Sequence, residues 1–535
     1  MRRHRRVTRR AALKTLAMSL PALGLGARAL AITQSGNSNQ VVRKNVVLFL
    51  TDQERAIQHF PDNWQQENLP GLTRLKQNGL TFENAFTDAC MCSPARSTLM
   101  SGYFPAQHGV KYTLELDMSG PRNPQVELPL DLPNIATVMS AAGHNVVYKG
   151  KWHCCKPADP NGKYVPSDVG QYGFTRWNPQ DAGANQDVTE GGGAPGIPPP
   201  WTHKSGNNDG RFMYDDGDYQ DGKEGVLAYL NSVAVRHQPF FLIISLVNPH
   251  DVLFYPKTYA NMPVPHYDDS WLAGDIDIPV TVDERLDTKP TAQEQFRRIS
   301  QLLGVLDTPE KKHSYINFYG NLMKSSDKYL VKVLETLDNL GLTNDTLIIR
   351  TADHGEMGLS HGGLRQKNFV FYEEAIRVPL VYSNPQLYPG PFTSSALVSH
   401  VDFLPTIASL FDAPDSARAD WQGVDYSSLV LHPTAAPVQD YIVFTYDDYQ
   451  SGQATPPYPR PPNHIVSIRE ERFKLAEYYD VHHLVPSQWE MYDLLADPLE
   501  VNNIANGPRT RRQQLEYERL QAKLAAVKAT RLQPR

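Results

Sequence analysis

Three apolar segments constrain the fold of this chain more than any other feature, and polar side chains follow each of them at once. The segments are 45–50, 240–247 and 347–352, and the residues after them are Thr51-Asp52-Gln53, Asn248-Pro249-His250-Asp251 and Asp353-His354-Gly355-Glu356. Mostly apolar runs of this kind predict strands buried on both faces, as in a parallel sheet. Since ligands of open α/β sheets bind at the carboxyl ends of the strands, we expect a ligand site here. Asp52 by itself would equally suit a helix cap.

Helical patterns alternate with these strands. Helices are predicted at 68–79, 132–142, 315–340 and 401–411, with a short strand at 145–148 and another entered through Pro379. The alternation predicts an α/β domain at 45–432, in which helices sandwich a mostly parallel sheet. Short alternating strands such as 441–444 and 464–468, and a polar helix after Arg511, predict a smaller C-terminal domain with an antiparallel sheet at 433–535.

The N-terminus has the pattern of a twin-arginine signal peptide, which we place at 1–31, with a linker at 32–44. Thr8-Arg9-Arg10-Ala11 precedes a modestly apolar run at 15–26 and then small residues around Ala27-Arg28-Ala29. The run is short and interrupted by proline and glycine, so no stable membrane span is expected. A basic nucleic-acid-binding arm is the alternative interpretation, but it does not explain why small residues follow the apolar run. We therefore expect a periplasmic or secreted protein that uses the twin-arginine export machinery.

The charge of the rest of the chain argues against a nucleic-acid partner. The formal net charge is −6, and the leader through Ala29 carries eight basic residues and no acid. The remainder therefore carries about −14, which would repel a polyanion. An anionic substrate would need locally clustered cations.

The four cysteines form two close pairs, Cys90 with Cys92 and Cys154 with Cys155. Two such pairs do not make a disulfide framework. A zinc site would need further ligands, and no second C-x-x-C motif accompanies them. Cys154 and Cys155 receive no functional assignment from the sequence.

Cys92 opens the pattern Cys92-Ser93-Pro94-Ala95-Arg96. Proline is accepted in the first turn of a helix, so Pro94 can place Cys92 at a helix N-terminus, where backbone N–H groups favour anions. Arg96 then follows one turn along, with its fixed fork of donors. A buried cysteine beside an ordinary helix start is the alternative interpretation of this pattern alone.

The Cys-x-Pro-x-Arg spacing resembles the signature of the type I, formylglycine-dependent sulfatases of the alkaline phosphatase superfamily. Further matches follow in the family's order: Gly150-Lys151-Trp152-His153, Asp353-His354-Gly355-Glu356, Tyr372-Glu373-Glu374 through Arg377-Val378-Pro379, and Tyr492-Asp493-Leu494 with Asp497-Pro498-Leu499-Glu500. The resemblance covers almost the whole chain after the leader. It implies an alkaline-phosphatase-like fold and hydrolysis of a sulfate monoester to alcohol and inorganic sulfate.

In this family the cysteine is oxidised to formylglycine (3-oxoalanine) by a formylglycine-generating enzyme before folding, and the resemblance implies the same for Cys92. The hydrate of this aldehyde carries two hydroxyls on one carbon. One hydroxyl takes the sulfuryl group, and the other, once deprotonated, expels sulfate and restores the aldehyde. A serine in its place would be trapped as a sulfate ester.

The resemblance also implies a metal site and roles for individual residues. One divalent cation, Ca²⁺ first with Mg²⁺ or Mn²⁺ as alternatives, would be held by Asp52, Gln53, Asp353, His354 and the modified Cys92. Lys151 and Lys367 would hold sulfate oxygens, and Arg96 would stabilise the hydrate. His250 would protonate the leaving oxygen, and His153 would take the proton that releases sulfate.

Two ligand positions depart from the commonest family pattern, because many sulfatases have aspartate at Gln53 and asparagine at His354. The pairs found here resemble choline sulfatases and phosphonate monoester hydrolases, so a phosphonate or phosphate ester hydrolase is the second hypothesis. Phosphonate hydrolases generally lack the lysine and histidine found here at Lys151 and His153. A non-catalytic anion-binding protein with an unmodified Cys92 is the third.

Specificity is expected to depend on two long irregular segments, 156–220 and 252–312, which leave strand ends carrying His153 and His250. Segments of this kind in a compact domain are often functional, so we expect both to fold over the pocket. Their aromatic residues, mixed with many carboxylates, are Trp177, Trp201, Tyr214, Tyr219, Tyr255 and Trp271. This mixture favours a small or neutral sulfate ester, aryl or carbohydrate, over a highly sulfated polymer. The alternative is that the aromatics pin the loops to the core.

Overall fold

The computed structural model describes residues 41, 44–56, 59–115, 125–159, 162–185, 207–232, 238–260 and 267–535 of the 535-residue chain. The signal peptide predicted at 1–31 lies outside these residues, as does the linker predicted at 32–44 except for positions 41 and 44. Among the residues described, none of the helices combines the length and the apolar character needed to cross a membrane.

The larger sheet has seven strands in the order β4-β5-β1-β6-β7-β2-β8. In chain order these strands are β1 Asn45–Asp52, β2 Gly79–Phe86, β4 Asn145–Gly150, β5 Phe240–Pro249, β6 Thr346–Ala352, β7 Leu380–Ser383 and β8 Phe392–Ser399, with β3 Ala89–Cys90 belonging to the second sheet. Strands β4, β5, β1 and β6 run parallel, as do β2 and β8, while β7 is antiparallel to both of its neighbours. The mostly parallel sheet expected from the apolar segments is confirmed.

Helices pack on both faces of this sheet. In the described part of the chain the α-helices, labelled α1 to α16 in order, are Trp64–Asn68, Pro70–Gln77, Cys92–Ser101, Pro105–His108, Ile135–Ala141, Pro166–Gly170, Asn208–Tyr214, Val226–Asn231, Lys257–Ala260, Thr291–Ile299, Pro309–Asn339, Ser360–Gly363, Glu373–Ile376, Phe403–Leu410, Ser427–Leu431 and Arg511–Thr530. Short 3₁₀ helices lie at His250–Phe254, Asp269–Leu272, Ser300–Leu303, Thr343–Asp345, His400–Asp402 and Asp415–Ala417.

The side chains of β1 show how the core is built on both faces of the sheet. Leu48 and Leu50 pack in one apolar cluster with residues of α3, α5 and α14, whereas Val47 and Phe49 pack in another with α2, α8 and the long helix α11. Alternate residues of a strand point to opposite faces, so a fully apolar strand can serve two layers of helices. Polar residues are therefore left to the strand ends.

A second, five-stranded sheet has the order β12-β11-β10-β9-β3. Strands β9 Tyr441–Tyr446, β10 His464–Glu470, β11 Phe473–Tyr479 and β12 Gln488–Asp493 pair antiparallel, and α16 packs on them. The short strand β3 joins this sheet by pairing parallel with β9, Cys90 opposite Tyr446. The second sheet thus extends to the segment that carries Cys92. The boundary between the two domains, predicted between residues 432 and 433, stays a prediction.

Candidate active site

Cys92 is the first residue of α3, and Met91 before it has an extended backbone. The side chain is buried, with 2% of its surface exposed. Pro94 lies in the first turn of the helix, where its missing N–H leaves no hydrogen bond unmade. The helix ends at Gly102, whose φ of 72° is the left-handed cap conformation that glycine adopts without strain. The predicted position of Cys92 at a helix N-terminus is confirmed.

Three strand ends meet α3 around the Cys92 thiol. The Sγ atom lies 3.3 Å from Nε2 of His354 and 3.6 Å from Oδ1 of Asp52. Nε2 of His354 is also 3.7 Å from Oδ1 of Asp353. The ligand atoms of these four buried residues all lie within 4.8 Å of one another, a spacing compatible with one metal ion. We call Asp52, Cys92, Arg96, Lys151, Asp353 and His354 the buried ion cluster.

Arg96 joins the two carboxylates of this cluster. Its Nη2 donates to Asp52 at 3.0 Å, and its Nε donates to Asp353 at 2.9 Å. Nη1 donates to the Lys151 carbonyl at 2.9 Å and to Ser245 Oγ at 2.7 Å. Every nitrogen of the guanidinium therefore has a protein acceptor, and the planar fork fixes the spacing of the two carboxylates. Its predicted contact with the nucleophile stays a prediction.

Lys151 enters the cluster from the turn that follows β4. Its Nζ lies 2.7 Å from Oδ2 of Asp52 and 3.9 Å from Sγ of Cys92. Gly150 before it has a φ of 97°, and a Cβ there would lie 2.0 Å from the Ser245 carbonyl oxygen, so only glycine fits. Asp181 accepts hydrogen bonds from the backbone N–H groups of Trp152 and His153, each at 2.8 Å. These contacts fix the turn that carries Lys151 and His153.

Gln53 and Lys367 form the next layer. The Gln53 amide oxygen accepts from Nζ of Lys367 at 2.6 Å, and its nitrogen donates to Glu356 at 2.5 Å. Tyr315 donates to the same carboxylate at 2.7 Å. Gln53 has a φ of 67°, an uncommon conformation for this residue type that turns the chain at the end of β1. Lys367 and Gln53 are thus held beside the cluster.

A cavity of about 380 Å³ opens above Cys92, and His153, His250 and Lys367 line it. Both long segments contribute to its lining, with Gly183 and Ala184 from the first and residues 253–303 from the second. The aromatic residues singled out in the sequence do not line it: Trp177 and Tyr255 are buried, Tyr214 and Trp271 half-buried and Tyr219 exposed, and Trp201 lies outside the described residues. Phe254 and Phe296 are the aromatic residues of the lining.

The cluster shifts the proton affinities of its members. Burial opposes charge on Cys92, but Lys151 and Lys367 hold the pKa of its thiol well below the ordinary value. Burial lowers the pKa of His250 to about 4, with Asp52 opposing that shift. Burial also disfavours protonation of His153, yet the neighbouring Cys92 thiol raises the pKa of His153 above the ordinary value. The two histidines of the cavity are therefore separated in proton affinity.

The structure brings together all the site residues named from the sequence. Asp52, Asp353 and His354 surround position 92, and Gln53 lies in the next layer against Lys367. Arg96 and Lys151 contact the carboxylates, and His153, His250 and Lys367 line the cavity. Three supporting residues were not singled out: Asp181, Ser245 and Glu356. Asp181 lies in an irregular segment and Ser245 inside an apolar strand, so no local pattern marks them. Glu356 belongs to the motif Asp353-His354-Gly355-Glu356, and that membership was the sequence signal that could have identified it.

Comparison with known proteins identifies the family. The model of the sulfatase family matches residues 44–413, and that of the N-sulphoglucosamine sulphohydrolase C-terminal region matches residues 360–530. The chain belongs to the sulfatase family. It is a sulfuric ester hydrolase with the alkaline-phosphatase-like fold that the sequence motifs implied.

Individual relatives are distant but span most of the chain. An ulvan-active sulfatase of Formosa agariphila is 24% identical over 507 residues, which cover 91% of this chain and 81% of the relative. A solved 2-O GAG sulfatase superposes with a TM-score of 0.67 at 20% identity, covering 91% of this sulfatase and 93% of that chain. The phosphonate monoester hydrolase of Silicibacter pomeroyi has a TM-score of 0.63 at 20% identity, covering 91% and 96%. The solved structures share the fold.

Proposed function

We propose that this sulfatase hydrolyses a sulfate monoester by means of formylglycine formed from Cys92 and one divalent cation. The observation that supports this most directly is the placement of Cys92 at the N-terminus of α3, within 4 Å of Asp52, His354 and Lys151. The Sγ atom stands where an oxygen of the formylglycine hydrate would lie. An ordinary structural cysteine would not need a lysine, a carboxylate and an imidazole around its sulfur.

The donor set fits a hard divalent cation. Asp52 and Asp353 supply carboxylates. Gln53 donates its backbone N–H to Asp353 at 3.0 Å, and its amide oxygen, which accepts from Lys367, would join the ligand set by turning from that lysine. Nδ1 of His354 lies 3.1 Å from the Gly355 carbonyl, which can only accept, so Nδ1 carries the hydrogen and Nε2 faces the cluster. Oxygen-rich ligation favours Ca²⁺, with Mg²⁺ or Mn²⁺ as alternatives. The bound cation would polarise a sulfate oxygen and lower the pKa of the hydrate.

The side chains around position 92 then divide the work. Lys367 places an ammonium group in the cavity lining, and Lys151 places another 3.9 Å from the Cys92 sulfur, where the two would neutralise sulfate oxygens. Arg96 keeps both metal carboxylates at fixed spacing. His250 and His153 line the same cavity, so His250 would give a proton to the leaving oxygen and His153 would accept one from position 92.

Two cellular partners belong to the proposal. A formylglycine-generating enzyme would modify Cys92 before folding, because the thiol is buried in the folded chain. The twin-arginine export machinery would then deliver the folded protein to the periplasm or beyond. The four cysteines are free thiols, which agrees with export of an already folded chain.

Phosphonate or phosphate ester hydrolysis is the second candidate. The ligand pair Gln53 and His354 favours it, since fewer carboxylates make the site more positive. Lys151 and His153 favour sulfate, because phosphonate hydrolases generally lack this lysine and histidine, and here contacts to Asp52 and Asp181 hold both residues in place. A protein that only binds anions would not need histidines of different proton affinity around one sulfur.

Mass spectrometry of the peptide containing Cys92 is the direct test. Protein produced together with a formylglycine-generating enzyme should carry the aldehyde at position 92 and an unchanged thiol at Cys90. The same preparation, loaded with Ca²⁺, is assayed on an aryl sulfate and on the matching phenyl phosphonate. A higher kcat/KM on the phosphonate favours the second candidate, and binding of sulfate without turnover of either ester favours the anion-binding protein.

A further inference from the structure

Two chemically different groups of residues line the cavity above Cys92. One group is aliphatic and aromatic and comes from the 3₁₀ helix after β5, from α10 and from the 3₁₀ helix after α10: Leu253, Phe254, Phe296, Ile299, Leu302 and Leu303. We call these six residues the apolar wall. The other group, which we call the polar side, is Thr113, Glu115, Gln366, Asn368, Ser451 and Gln453.

The apolar wall remains accessible. Leu253, Phe254, Ile299 and Leu303 are half-buried, and Leu302 is 54% exposed. Clustered apolar side chains left open to water cost free energy unless a ligand covers them, so such patches mark binding surfaces. A ligand seated on Cys92 would have its body beside this wall, because both line the same cavity.

The charges of the cavity separate its floor from its mouth. Among its described lining residues, Lys367 is the one lysine, arginine is absent and the one carboxylate is Glu115. Lys367 lies beside Gln53, where its ammonium group would bind the sulfate that is cleaved. The described lining therefore offers no further ammonium or guanidinium to a second sulfate or a carboxylate.

Arg365 connects the apolar wall to the loop that carries Lys367. Its Nη2 donates to the Ser300 carbonyl, which begins the 3₁₀ helix of Leu302 and Leu303. Arg365 is buried, and it directly precedes Gln366 and Lys367 in the chain. The position of the wall is thus coupled to the position of Lys367.

From these observations we propose that the apolar wall selects the alcohol: the substrate is the sulfate ester of an uncharged alcohol with an apolar, ring-sized body, not a sugar of a polyanionic chain. This rests on the proposed sulfatase activity and narrows it. The wall contributes through the burial of apolar surface, and the polar side admits a hydroxyl or ether without requiring a charge.

Steady-state kinetics on matched esters tests the substrate class. Cyclohexylmethyl sulfate and galactose 6-sulfate are both primary alkyl sulfates, so they differ chiefly in the polarity of the ring. The cyclohexyl ester should have a kcat/KM at least about tenfold higher. Equal values, or a preference for the sugar or for a heparin-type disaccharide, would overturn the proposal. Failure of formylglycine-bearing, Ca²⁺-loaded enzyme on every sulfate ester would instead contradict the underlying sulfatase activity.

A pair of matched leucine variants tests the wall itself. Leu302→Ala should lower kcat/KM for the cyclohexyl ester about three- to tenfold, mainly through KM, and should leave that for the sugar ester nearly unchanged. Leu515→Ala is the control, since Leu515 is 58% exposed on α16 and does not line the cavity. Equal effects of both variants, or an equal loss on both esters, would show that the wall does not select.

A charge introduced at the mouth gives a second, independent readout. Two phenyl sulfates with the same leaving-group pKa are compared, one with a remote carboxylate and one with a remote alkyl group. Leu302→Arg should raise kcat/KM for the carboxylate ester relative to the alkyl ester. We expect a change in that ratio of at least about tenfold, falling with added salt. An unchanged ratio in a variant that keeps its melting temperature would place the alcohol away from the wall.

Discussion

The buried ion cluster and the apolar wall lie against the same cavity but are built in opposite ways. In the cluster, Asp52, Arg96, Lys151 and Asp353 have fully buried side chains, and each is fixed by charged hydrogen bonds to its neighbours. In the wall, Leu302 and its neighbours stand half-open to water on a 3₁₀ helix and the end of α10. The cluster is anchored to strand ends, whereas the wall belongs to a long insertion between β5 and α11.

This difference separates reaction from selectivity. Changing a cluster residue leaves a buried charge without a partner, which is costly for both stability and chemistry. Changing an exposed wall residue such as Leu302 alters mainly the area that an alcohol can bury. One fold can therefore keep the hydrolysis of a sulfate ester while its insertions adapt to different alcohols.

The largest effect is expected at Cys92, and Cys90 provides a matched control two residues away. Both thiols are buried, but Cys90 contacts a backbone carbonyl while Cys92 contacts the ion cluster. Cys92→Ala should lower kcat by at least ~10⁴-fold, because the nucleophile is lost. Cys90→Ala should keep kcat within about tenfold. Cys92→Ser should also be inactive in a host that cannot oxidise serine. Comparable losses from both alanine variants would mean that the nucleophile is misassigned.

Asp353 and Asp345 provide the next comparison, since they flank the same strand, β6, at its two ends. Asp353→Ala should lose the bound cation and about 10³-fold in kcat, because the cluster gives up a charge and an oxygen ligand together. Asp345→Ala, at the exposed end, should leave both unchanged. Elemental analysis and assays after chelation measure the two effects. Stoichiometric zinc, or full activity without any metal, would contradict the cation assignment.

Arg96→Lys keeps the charge of the cluster but removes the fork that joins Asp52 to Asp353. Affinity for the cation should fall about 10- to 100-fold, as is usual when residues that orient metal ligands are changed. Arg74→Lys is the control, because Arg74 pairs with Asp338 at 2.7 Å in an exposed position. Titration with Ca²⁺, followed by thermal unfolding, reports both affinity and folding. An unchanged affinity in Arg96→Lys would show that the bridge is not needed for the metal site.

The sequence predicted the cluster better than the wall for physical reasons. Buried strands such as 45–50 and 347–352 have unmistakable apolar runs, and their exits had to meet at one sheet edge. Cys92 could be placed because Pro94 marks the start of a helix. The wall has no comparable signal. Phe296 and Ile299 stand at helical spacing on α10, but no local pattern shows that they share a cavity with Phe254 and Leu302, which depends on how a long insertion folds.

Some strands and one helix end were not predicted from the sequence for the same reason. Strands β2 and β8 have mixed burial along their length, so their sequences show neither a continuous apolar run nor clean alternation. Strand β3 has two residues and exists only because β9 lies beside it. The helix predicted at 68–79 ends at Gln77, because Gly79 already begins β2. Tertiary pairing decides such segments, and no local pattern reports it.

The smallest effect expected concerns the attachment of the wall to the core. His361 lies 2.7 Å from Glu284, in the insertion that leads into α10, and 3.6 Å from Glu374 in the core. Lys289 lies 3.1 Å from the other oxygen of Glu284. Although burial opposes charge there, Glu374 and Glu284 raise the pKa of His361 to about 9. A protonated His361 therefore pins the insertion to the core.

The pKa of His361 in the folded state lies above its pKa in the unfolded chain. The stability that protonated His361 contributes is therefore complete below pH 6.5 and is lost as pH rises through about 9. The free energy of unfolding should fall by about 1–3 kcal/mol across this window. His361→Gln keeps a neutral hydrogen-bonding side chain, so it should be less stable at pH 6 and show a flatter profile. Thermal unfolding at closely spaced pH values measures both, and KM for the cyclohexyl ester should rise with pH in the wild type more than in the variant. Parallel stability profiles for the two proteins would show that His361 does not carry this charge, and would leave the wall anchored by Arg365 and its apolar contacts.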